Sequence, residues 1–260
     1  MRLALSTLGL PDLPLARAAR LAADTGWQGL ELRCAPGQPV HPGLDAHERR
    51  AAVGELADAG VQPIALASYL TLAGQPLDKP LLADFATHLE LAADLGCPAL
   101  RVFPGGSAVG PRTAEDRAAR RLAAVADRAG ALGVRILVET HDSHPTGQAL
   151  ARLLARADHP AVGALWDLQH TVLAGETPSA THHALAARLG HVQVKDIASP
   201  ADRTPLPLGA GTLPLADSLA LLPADTWTCW EYEAPWHPAA APLPPLLAEG
   251  ARFLEGLRRR

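Results

Sequence analysis

Short apolar runs recur along the chain, each followed by an Ala/Leu-rich stretch with helical spacing. The strand-like runs are RLALST (2–7), GLELRC (29–34), PIALASY (63–69), ALRVFP (99–104), VRILVETH (134–141), VGALWDL (162–168), HVQVKDI (191–197) and WTCWEYE (227–233). Helical patterns such as LARAARLAADTG (15–26), LLADFATHLELAADLG (81–96) and AEDRAARRLAAVADRAGALG (114–133) lie between them, and each of these ends on a glycine: Gly26, Gly96 and Gly133. Glycine after a periodic apolar run is a helix stop, because it adopts the left-handed conformation that closes the last turn. The run HVQVKD stands apart. Alternation along a strand puts His191, Gln193 and Lys195 on one face and Val192 and Val194 on the other.

Eight β–α units in one chain without a linker predict an α/β protein, a (β/α)8 TIM barrel forming a single domain over residues 1–260. A doubly wound open sheet is the competing arrangement. No glycine-rich dinucleotide fingerprint follows the first run, where such a sheet favours one. PGGSAVGPRT (104–113) is Gly-rich but lacks a P-loop lysine, and reads as a loop entering a helix. The Gly/Pro-rich stretch from Ser199 to Pro214 reads either as a lid over the site or as a surface excursion.

Composition narrows the classes. The 260 residues are 48% hydrophobic and 19% charged, ordinary for a globular enzyme. Net charge is −4, and the basic run is confined to Arg258, Arg259 and Arg260, so no nucleic-acid partner is expected. Cys34, Cys97 and Cys229 are far apart and match no metal spacing, which fits a reducing compartment. The apolar start meets Pro11 and Asp12 too early for a signal peptide, and no run has membrane-span length. A cytoplasmic location without membrane association is expected.

In such barrels the active site lies at the C-terminal ends of the strands. There the chain places Glu31 and Arg33, Glu139 and His141, Asp167 with His170 three residues on, Gln193, Lys195 and Asp196, and Glu231 and Glu233. Glu139, Asp167, Gln193 and Glu231 are expected to converge from neighbouring strands. Three carboxylates held together in a low-dielectric mouth repel one another, and a divalent cation relieves that repulsion.

VRILVETHDSH, WDLQH followed by GETP, HVQVKD and WEYE resemble the xylose isomerase-like barrel superfamily over the full chain. Its members include sugar isomerases and epimerases, hydroxypyruvate isomerases, inosose dehydratases and type IV apurinic endonucleases. The resemblance implies metal ligands at Glu139, Asp167, Gln193 and Glu231. Most members carry His at the position of Gln193; hydroxypyruvate isomerase-like members carry Gln. An all-oxygen set favours Mn²⁺ or Mg²⁺, with Co²⁺, Ni²⁺, Fe²⁺ and Zn²⁺ left open. His170 resembles the second residue of the family's Asp-x-x-His pair. Phe103 stands where the endonucleases have a zinc-binding His, so their trinuclear site is not expected.

The implied chemistry is isomerisation or epimerisation of a small sugar-like, hydroxy-carbonyl substrate through a metal-stabilised enediolate. Glu139 and Glu231 would be the paired acid/base groups. Lys195 is read either as a third catalytic group or as an ion-pair partner of Glu139 or Glu231. His170, His141, Arg203 and Trp236 are the expected substrate contacts, and His141 and His191 could also orient ligands. A dehydratase or lyase on an inosose-like or keto-sugar substrate, and a non-catalytic sugar-binding barrel, are the alternatives. A homo-oligomer is compatible with the resemblance.

Overall fold

The computed structural model describes residues 1–74, 77–106 and 110–258. Residues 107–109 of the Gly-rich segment, and 259–260 of the basic terminus, lie outside the described residues. Eight strands are β1 (Arg2–Ser6), β2 (Gly29–Arg33), β3 (Gln62–Thr71), β4 (Ala99–Phe103), β5 (Arg135–Glu139), β6 (Val162–Asp167), β7 (Leu189–Val194) and β8 (Trp227–Trp230). All pair in parallel in sequence order, and β8 returns to β1 with Leu5 opposite Trp230, closing the barrel. Helices α1 (Leu15–Asp24), α2 (Ala46–Ala59), α3 (Asp78–Asp94), α4 (Pro111–Ala131), α5 (Gly147–Ala157), α6 (Leu168–Leu173), α7 (Pro178–Leu185), α8 (Leu215–Leu219) and α9 (Leu247–Arg258) follow the strands. Among the described residues no helix is long and apolar enough to cross a membrane.

The glycine stops act as the sequence implies. Gly26, Gly96 and Gly133 sit two residues beyond α1, α3 and α4 at φ of 93°, 69° and 69°, the left-handed region where glycine has no Cβ penalty. Several strands end earlier than their apolar runs. β7 stops at Val194 and β8 at Trp230, so Lys195, Asp196, Glu231 and Glu233 leave the sheet on the first residues of the following loops.

Apolar side chains fill two regions. The larger lies between sheet and helices and holds Val192 and Val194 of β7 with Trp27, Phe85 and Trp166. The smaller comprises Ala4, Ile64, Ala65, Ala99, Leu137, Leu165 and Cys229. Residues i and i+2 of a strand share a face. Two positions beyond four of the inner residues stand Arg101, Glu139, Asp167 and Glu231, all buried. Each of these four strands, β4, β5, β6 and β8, thus carries an apolar plug below and a charged group above it, toward the C-terminal mouth. β7 departs from this pattern, since His191, Gln193 and Lys195 are all polar and all buried.

Candidate active site

The lower polar layer is tied together by Glu31. His191 Nε2 lies 2.9 Å from Glu31 Oε2, and Gln193 Nε2 donates to Glu31 Oε1 at 2.9 Å. Burial opposes ionisation of Glu31, but the bond and charge of His191 win and hold its carboxyl below the usual range. Gln193 Nε2 also donates to Glu231 Oε1 at 3.1 Å. With two carboxylates fixing the amide nitrogen, the orientation of Gln193 is determined, and its Oε1 is left buried without a hydrogen-bond partner.

Above this layer Lys195 is the hub. Its Nζ lies 2.7 Å from Asp167 Oδ2, 2.5 Å from Glu231 Oε2 and 2.6 Å from Glu233 Oε1. Burial disfavours the ammonium, yet these carboxylates raise its pKa well above the ordinary lysine value, so Lys195 is a cation at neutral pH. Asp167 is likewise buried, and Lys195 holds its carboxyl below the ordinary value. Glu139 differs: burial pushes it up to about 8, although Arg101 works against the shift. Burial also raises Glu231.

His170 is placed by a helix cap. Asp167 ends β6 and caps α6, accepting the His170 backbone N–H at 3.3 Å. The His170 ring meets His141 edge-on at 4.2 Å between centroids, and His141 meets Phe103 at 4.6 Å. Burial lowers His170 to about 4, so it is neutral near pH 7. Asp142, in the left-handed region at φ 46°, keeps Oδ1 2.8 Å from His141 Nδ1 and accepts Gly105 N–H at 3.1 Å through Oδ2. Burial opposes protonation of His141, but Asp142 and Glu139 raise its pKa.

Of the residues expected at the site, Glu139, His141, Asp167, His170, Gln193, Lys195 and Glu231 all sit at this mouth. Trp236 stands at the rim, 56% exposed, with the Arg33 guanidinium 5.3 Å from its ring. Arg203 is not brought to the cluster; it is exposed and directs its Nε to the carbonyl of Pro200. Its loop is tethered from below. Asp196 is buried and accepts the N–H groups of Ile197 and Leu213 through Oδ1, and of Gly209 and Gly211 through Oδ2. A Cβ on Gly211 would stand 2.2 Å from Asp196 Oδ1, so only glycine permits this approach.

Sequence reasoning passed over Arg101 and treated Glu31 and Glu233 only as strand-end polar groups. Arg101 is the one charged residue in ALRVFP, and it is an inner residue two positions beyond Ala99. That spacing was the available signal.

The donor chemistry accommodates a divalent cation in two ways. Gln193 Oε1 and Glu139 Oε2 are buried oxygens without hydrogen-bond partners. One ligand atom each of Glu139, His141 and His170 lie within 4.8 Å of one another, a grouping that adds imidazole nitrogens to the oxygen set expected from sequence.

The xylose isomerase-like TIM barrel family profile matches residues 19–257. A putative hydroxypyruvate isomerase of Streptomyces coelicolor is 30% identical, over 88% of this chain and 89% of its own. The chain belongs to the xylose isomerase-like TIM barrel family. Two solved structures share the fold. The probable 3-DHS dehydratase AsbF of Bacillus anthracis superposes with a TM-score of 0.82 at 18% identity, covering 98% of this chain and 99% of that one. The IOLI protein, solved with a zinc atom, gives 0.80 at 14% identity, covering 99% and 96%.

Proposed function

We propose that the protein is a divalent-metal-dependent isomerase or epimerase of a small hydroxy-carbonyl compound, working by proton transfer at a carbon next to the carbonyl. One observation carries this reading. Glu139 and Glu231, at the ends of non-adjacent strands, are both buried and both held toward the protonated form, while Lys195 stays cationic beside Glu231. A carboxyl with a raised pKa exchanges protons readily near neutral pH. One glutamate would take the carbon-bound proton and the other would return it at the adjacent carbon or on the opposite face. Lys195 would keep Asp167 ionised and hold both Asp167 and Glu231 in place.

Glu139, Asp167, Gln193 and Glu231 would hold the metal, with His141 and His170 as further donors on the Glu139 side. When bound, a divalent ion would polarise the substrate's carbonyl oxygen and the neighbouring hydroxyl. The oxygen-rich donor set supports Mn²⁺ or Mg²⁺; that the IOLI protein, which shares the fold, binds a zinc atom supports a divalent ion without naming it.

The test is carbon-bound hydrogen exchange in deuterated water, followed by proton NMR across a panel of aldoses, ketoses and hydroxy-keto acids. Glu139→Gln and Glu231→Gln should each slow exchange by roughly 10²–10⁴. Unchanged exchange in both variants, or no exchange with any compound, sinks the reading. Gln193→Ala should lower the metal content found by elemental analysis.

The Lys195 ammonium favours a second reading, a dehydratase in which it protonates a departing hydroxyl. Mass spectrometry separates the two, since only a dehydratase releases water from its substrate.

A further inference from the structure

Arg101 has no role in that mechanism, yet it is the least accounted-for side chain in the mouth. It is 3% exposed, and its buried Nε and Nη1 donate no hydrogen bond. Glu139, Glu231 and Glu31 balance its charge. They do not use its donors: Nε stands 3.4 Å from Glu139 Oε2 without completing a hydrogen bond, and that oxygen is itself unpartnered. Leaving buried charged donors unmatched is costly, so folded proteins rarely keep two on one side chain without a use.

The guanidinium is also held in place. Its carbon lies 4.1 Å from the Phe103 ring centroid and 5.5 Å from that of Tyr69. Tyr69 is engaged by Arg33 as well, which donates from Nε to the Tyr69 hydroxyl at 2.8 Å, with its own carbon 5.4 Å from the ring. Two arginines therefore meet one tyrosine on the β2–β4 arc. Lys195 follows β7, which is opposite β3 in the closed strand order. The unmatched donors Nε and Nη1 of Arg101 face the mouth beside Glu139, while Glu231 and Lys195 come from the β7–β8 side. A flat guanidinium packed on aromatic rings is suited to a planar anion.

We propose that Arg101 receives a carboxylate of the substrate, so that the compound transformed is a hydroxy-carbonyl acid and not a neutral sugar. This rests on the isomerase reading above. The carboxylate lies on the β2–β4 arc, and the reacting carbons lie toward Glu139 and Glu231.

The test uses two ligands that cannot turn over, D-glycerate and its uncharged amide, D-glyceramide. Binding to the full chain is measured by isothermal titration calorimetry, once with Mg²⁺ and once with chelator. Wild type should bind glycerate at least roughly ten-fold more tightly than glyceramide in both conditions. Arg101→Gln should bring the ratio to about one while glyceramide affinity stays within about two-fold, and Arg101→Lys should keep part of the preference. Equal binding by wild type overturns the proposal. So does a preference that survives in Arg101→Gln, or one that vanishes with chelator, which would place the carboxylate on the metal. If Arg101→Gln does not fold, the wild-type ratio in chelator and the Arg101→Lys ratio decide. Because neither ligand reacts, a glycerate preference without deuterium exchange in any substrate would overturn the isomerase reading and leave the subsite standing.

Discussion

Asp196 and Glu139 are both buried carboxylates at the mouth of the barrel, and they are bonded in opposite ways. Asp196 accepts four backbone N–H groups from Ile197, Gly209, Gly211 and Leu213, so both oxygens are occupied and the loop after β7 is fixed. Glu139 leaves Oε2 without a partner and has its pKa pushed up to about 8. The functional group is the same, and so is the burial. What separates a structural carboxylate from a chemical one is how much of its bonding capacity the fold has left open.

The strongest way to break this contrast is to remove the charge that both regions border. Lys195→Met leaves Asp167, Glu231 and Glu233 without their common cation. It should destabilise the fold by about 3–5 kcal/mol, read as a shift of the urea midpoint. A loss below about 1 kcal/mol would mean that the ammonium is not the hub. Asp196→Ala comes next, at about 2–4 kcal/mol, because stranded backbone donors remain behind; Glu139→Gln in the same assay should be close to neutral. Equal losses would erase the distinction between the two carboxylates.

The smallest effect is a pH slope. The folded state holds the Glu139 proton between the ordinary value of 4.5 and about 8. This contribution to stability is therefore complete below the unfolded pKa and is lost as pH rises through the folded one. Glu231, also raised, has the same sign. In chelator, denaturant titrations from pH 5 to pH 8 should show wild type losing stability relative to Glu139→Gln, because only wild type carries this proton. An unchanged slope would remove Glu139 as its source.

Much of this was legible in the sequence. The barrel follows from apolar runs at regular spacing with glycine stops at Gly26, Gly96 and Gly133, all local signals. The mouth cluster follows from polar groups at strand ends. The role of Glu31 was not legible, because His191 and Gln193 reach it only once barrel closure sets β2 across from β7. Arg101 was hidden for a related reason: a lone arginine in an apolar strand does not declare its face until its neighbours on the ring are known. The Ser199–Pro214 stretch could be read as lid or excursion, and the three bonds that Gly209, Gly211 and Leu213 make to Asp196 favour the fixed excursion.

Lys195 has one further consequence. The chain contains two lysines, and the other, Lys79 on α3, is exposed. An amine-reactive reagent attacks the free base, so the exposed lysine reacts while a buried, carboxylate-bound ammonium is shielded. The ratio of label at Lys195 to label at Lys79 is therefore a built-in gauge of how often the barrel mouth opens, readable by peptide mass mapping without any engineered probe.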